Sequence, residues 1–65
     1  MNKEIIAKRL VELRGDRTQS EIAKEINVGQ STYAMYETGK RIPSDAVKIK
    51  IARLFGKTVQ EIFFT

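Results

Sequence analysis

A chain of 65 residues is one domain at most, and its stability is marginal unless a partner adds to it. The absence of cysteine and histidine excludes disulfides, thiolate or imidazole metal sites, and histidine acid–base catalysis. Twelve Lys and Arg against eight Asp and Glu leave a net charge of +4, a basic excess that favours polyanions such as nucleic acid or an anionic membrane.

The opening MNKEIIAKRL lacks a signal-peptide h-region, and no apolar run approaches the roughly 18 residues of a membrane span, so a cytoplasmic protein with no membrane attachment is expected. Gly15, Gly29, Gly39, Pro43 and Gly56 divide the chain into five pieces, each with helical rather than alternating periodicity. The first, residues 2–14, carries Ile6, Leu10 and Leu13 on one stripe, with Asn2 as its cap. In the second, residues 18–27, Thr18-Gln19-Ser20-Glu21 reads as a capping box before the buried face of Ile22, Ala23 and Ile26. The third, residues 30–38, opens after Gly29 and stops at Gly39, a residue suited to the left-handed position past a helix end. Pro43 and Ser44 introduce the fourth, residues 45–55, with Val47, Ile51, Ala52, Leu54 and Phe55 apolar. Thr58-Val59-Gln60-Glu61 is a second capping box and starts a short last helix. The expected fold is all-α, five short helices in a single domain over residues 1–65.

Residues 18–38 carry the functional signal. Two short helices joined across Asn27-Val28-Gly29 have the helix-turn-helix spacing, whose second helix enters the major groove of duplex DNA. At about 100° per residue, Tyr33 and Tyr36 point one way. Ser31, Ala34, Met35 and Thr38 point the other, with Gln30 at the leading end and no charge on that face. Glutamine can pair with adenine N6 and N7, serine can donate or accept, and Ala34 and Met35 can touch a thymine methyl. Phosphate contacts are expected around this helix: Gln19 at the start of the second helix, and Lys40 and Arg41 past the third. Lys24, Arg17 and Lys48 are weaker candidates. Lys3, Lys8, Arg9, Arg53 and Lys57 read as solvated surface.

The stretch TQSEIAKEINVGQSTYAMYETGKRIPS, with IARLFGKTVQEIF after it, resembles the phage repressor and Cro type of helix-turn-helix domain. The matching pattern is a polar cap, Gln, Glu-Ile-Ala, then Ile26 and Val28, a Ser-Thr pair, an aromatic, Glu-x-Gly-Lys and a proline. The resemblance implies a lambda-repressor-like fold and base reading by Gln30, Ser31, Thr32 and Met35. It implies phosphate contacts by Gln19, Lys40 and Arg41, and a structural ion pair between Arg14 and Glu37. The link Arg14-Gly15-Asp16-Arg17 is shorter than the usual family turn, and Gly29 stands where the family commonly has Ser or Thr.

Phe63 and Phe64 point about 100° apart, so both are hard to bury in one small monomer. They predict a homodimer through the last helix. The resulting expectation is a bacterial or phage transcriptional regulator, most simply a repressor on a near-palindromic duplex operator. It needs no cofactor, metal or small-molecule effector and has no enzymatic activity. The alternative is a protein-interaction module of the same fold, such as an antitoxin.

Overall fold

The computed structural model describes residues 1–64. Five α-helices follow in chain order: α1 Lys3–Arg14, α2 Gln19–Glu25, α3 Gln30–Glu37, α4 Asp45–Phe55 and α5 Val59–Phe63. The described residues contain no strand.

The helix starts are set by local chemistry. The Asn2 side chain accepts from the amides of Glu4 and Ile5, both at 3.0 Å. Thr18 and Thr58 each accept from the amide three residues on, while Glu21 and Glu61 reach back to the threonine amides at 2.9 Å. Ser44 accepts from Val47. These bonds satisfy amides that the first helical turn leaves without partners.

In the turn between α2 and α3, Gly29 has φ −66° and serves as the N-cap of α3. The left-handed residue is Asn27, with φ +57°. Asparagine tolerates this region better than most side chains. The reversal is held by the Asn27 amide donating to the Lys24 carbonyl and the Val28 amide to that of Ala23.

The helices enclose one core of Ile6 and Leu10, Ile22, Ala23 and Ile26, Tyr33 and Tyr36, Ile51 and Ala52, and Ile62 and Phe63. Leu13, Val28, Val47, Leu54, Phe55 and Val59 close its edges. α1 packs on α3 and α5, α2 on α3, and α4 on α5. α5 is thus wedged between α1 and α4, and this corrects the expectation for Phe63. Its side chain is fully buried inside the chain and offers nothing to a partner. Phe64, one residue past the helix, is half exposed.

Two cations are structural instead: Lys48, a weaker phosphate candidate, and Arg9, read as solvated surface. Lys48 is buried, with Nζ 3.5 Å from Asp45 and 5.8 and 5.9 Å from the ring centres of Phe63 and Phe64. It lies on the stripe of Ile51 and Ala52, so packing on α5 covers its stem, and it is unsuited to a phosphate contact. Arg9 donates to the carbonyls of Glu61 and Ile62 at 3.2 and 3.1 Å, which satisfies the open end of α5.

Candidate nucleic-acid interface

α3 is anchored from behind by its two tyrosines. Tyr33 is fully enclosed and Tyr36 nearly so, and their rings meet edge to face at 6.1 Å. With these side chains inward, Gln30, Ser31 and Thr38 are exposed, while Thr32, Ala34 and Met35 are half-buried. The outer face is short and uncharged, and its Met35 is a partly packed side chain rather than a free one.

The turn after α3 converges on one acceptor. The Met35 carbonyl receives the amides of Lys40 and Arg41 at 3.0 and 3.3 Å and the Thr38 hydroxyl at 3.2 Å. Gly39 makes the reversal possible, with φ +75°. Lys40 and Arg41 are exposed, and among the described residues neither has a carboxylate within salt-bridge distance. Two cations therefore stand at the C-terminal end of α3 on backbone fixed by that helix.

Beneath this surface lies a polar junction of α1, α2 and α3. Arg14 Nε and Nη2 donate to the two carboxylate oxygens of Glu37 at 2.7 and 3.1 Å, and Nη1 donates to the Arg17 carbonyl at 2.7 Å. Gln19 Nε2 adds a third bond to Glu37, at 2.9 Å. One guanidinium thus ties the end of α1 to the α1–α2 link and to the end of α3, and the carboxylate is buried against it. Burial alone would raise the Glu37 pKa; the bonds from Arg14 and Gln19 outweigh it and hold the carboxyl below its usual range. The bond to Glu37 raises Arg14 in turn. Burial, with the Glu37 carboxylate close enough to attract the phenolic proton, pushes the Tyr33 phenol upward; among the described residues the enclosed hydroxyl makes no hydrogen bond of good geometry.

The pairing of Arg14 with Glu37 is the geometry that the sequence resemblance implies. The bond from Gln19 to Glu37 was not foreseen: Gln19 is half-buried, and one of its amide hydrogens is committed inward. Of the weaker phosphate candidates, Arg17 sits over the Phe55 ring at 5.4 Å and Lys24 is exposed on α2. No sequence signal marks the Gln19 bond, since it depends on how α2 lies across α3. Lys48 was more legible, because its spacing from Ile51 and Ala52 puts it on their stripe.

Residues 6–62 match the helix-turn-helix family over nearly the whole fold just described. The chain belongs to that family. This helix-turn-helix chain is 41% identical over 46 residues to a protein of Archaeoglobus fulgidus and 39% identical over 46 residues to one of Methanocaldococcus jannaschii. Both relatives are described as uncharacterised HTH-type transcriptional regulators. The matched segment is 71% of this chain in both cases and spans 65% and 70% of the two relatives. No solved structure matches the chain. No described helix is long and apolar enough to cross a membrane.

Proposed function

We propose that this helix-turn-helix chain is a sequence-specific, double-stranded DNA-binding transcriptional regulator of the cytoplasm. In this reading it is a repressor that occludes a promoter by binding a near-palindromic operator as a homodimer. The observation that carries the reading is α3 itself: a helix anchored by two buried tyrosines, with an uncharged outer face and two exposed cations at its end that have no carboxylate partner among the described residues. A major groove about 12 Å wide accepts one such helix. Gln30 pairs with an adenine edge, Ser31 and Thr32 supply adaptable hydroxyls, and Met35 meets a thymine methyl. Lys40 and Arg41 neutralise phosphates beside these contacts, at the C-terminal end of α3, and fix the register without reading sequence. Gln19 orients α2 against Glu37 and keeps its second amide hydrogen for the backbone.

The half-exposed Phe64 supports a two-fold contact through the end of α5, which sets two copies of α3 about 34 Å apart. Selection of bound sequences from a random duplex pool tests the whole reading. A consensus of two inverted half-sites one helical turn apart is expected. Failure to enrich any sequence, with a flat salt dependence of binding, favours the interaction module instead.

A further inference from the structure

We propose that Lys3, in the first turn of α1, is a third phosphate-binding cation beside Lys40 and Arg41; the proposal rests on the DNA-binding reading above. Two segments distant in sequence meet at this point. A Cβ placed on Gly39 would lie 3.4 Å from the Lys3 carbonyl oxygen and 3.8 Å from the Lys3 Cβ. The start of α1 therefore abuts the turn that carries Lys40 and Arg41, and the Lys3 side chain leaves the backbone at that junction. These are ordinary contact distances, so the two segments touch, and glycine at 39 is favoured by its φ of +75°.

Lys3 is exposed, and among the described residues it has no carboxylate within salt-bridge distance. Its backbone is fixed, because the Asn2 side chain closes the first turn on Glu4 and Ile5. The neighbouring acid, Glu4, is turned about 100° around the helix from Lys3. α1 is 12 residues long, and the positive end of its dipole adds to the field at the junction. Phosphates on one strand follow one another at about 3.4 Å along the duplex axis, so cations on adjoining turns can engage successive groups. The ligand is the sugar–phosphate backbone of duplex DNA, met without regard to sequence.

The test is the salt dependence of binding to a random-sequence duplex, followed by fluorescence anisotropy, for the wild type, Lys3→Ala, Lys3→Arg, Lys40→Ala and Lys57→Ala. Lys57 carries the same charge but lines the cleft beside Glu12 and Leu13, toward the other end of α1. Lys3→Ala should flatten the log–log slope by about 0.9 per protomer, as Lys40→Ala does, which at 0.1 M salt is a roughly eightfold loss of affinity. Lys3→Arg should restore the slope, and Lys57→Ala should leave it unchanged. A wild-type slope in Lys3→Ala, with a flattened one in Lys40→Ala, would overturn the assignment of Lys3 and leave the DNA-binding reading standing. Equal flattening in Lys57→Ala would reduce the effect to net charge and overturn it too. A wild type without salt-dependent binding would overturn both.

Discussion

At the scale of single residues, Glu37 is the most constrained group in the molecule. Three side-chain hydrogen bonds converge on its carboxylate, two from Arg14 and one from Gln19. Arg14→Ala leaves that carboxylate buried with its main partner gone, and a loss of about 3 kcal/mol in urea denaturation is expected. The pH dependence follows from the lowered Glu37 pKa. The unfolded state takes up a proton at about pH 4.3, before the folded state does, so the contribution is complete above that value. It is lost as pH falls further through the folded pKa. The exposed capping carboxylates Glu21 and Glu61, held low by their hydrogen bonds to Thr18 and Thr58, act in the same direction. Melting temperature should be flat from neutral pH to about pH 5 and fall below about pH 4. Glu37→Gln should blunt that fall. Tyr33 gives the opposite kind of prediction. Its hydroxyl is enclosed beside the Glu37 carboxylate and makes no well-formed bond among the described residues, so Tyr33→Phe should change stability by less than about 1 kcal/mol. A loss well beyond that in the same denaturation series would mean that the hydroxyl is bonded after all.

At the scale of elements, the turn between α2 and α3 shows where sequence reading succeeds and where it stops. Caps and stripes were legible because each is local: Thr18 with Glu21, Thr58 with Glu61, and Ile6 with Leu10 declare themselves within one turn of helix. The division of labour inside Asn27-Val28-Gly29 was not legible. Either Asn27 or Gly29 can accept a positive φ, and only the path of the chain from α2 to α3 selects Asn27. Asn27→Ala should therefore cost up to about 1 kcal/mol, because alanine lacks the short polar side chain that lets asparagine occupy the left-handed region. Gly29→Ser should be neutral or stabilising by a few tenths of a kcal/mol, since the backbone there is already that of an N-cap. Thermal melts of the two variants check this, and equal losses would refute the assignment. Arg9 and Gln19 were hidden for a related reason. Their partners, Glu61 and Ile62 for one and Glu37 for the other, are set by helix packing across 18 to 53 residues of chain.

At the scale of the whole molecule, the two C-terminal phenylalanines separate stability from assembly. Phe63 belongs to the core, wedged with α5 between α1 and α4, so Phe63→Ala should cost about 3–5 kcal/mol and leave little folded protein. Phe64 is half exposed. Phe64→Ala should keep the monomer fold, as read by circular dichroism, and shift sedimentation toward the monomer. A wild type that sediments as a monomer even on operator DNA would remove the dimer from the account. In the proposed dimer, two copies of the fold would turn a short half-site contact into recognition of an extended operator, because half-site spacing mirrors the protein axis.

The uncharged face of α3 is the centre of that account, and sequence selection with three proteins tests it most directly. The wild type, Gln30→Ala and Lys40→Ala are each carried through enrichment from a random duplex pool, and the consensus logos are compared. Gln30→Ala should lose preference at one position in each half-site, at a cost of ~1–3 kcal/mol, and Lys40→Ala should return the wild-type logo with uniformly weaker binding. An unchanged logo for Gln30→Ala would contradict the claim that this face reads bases.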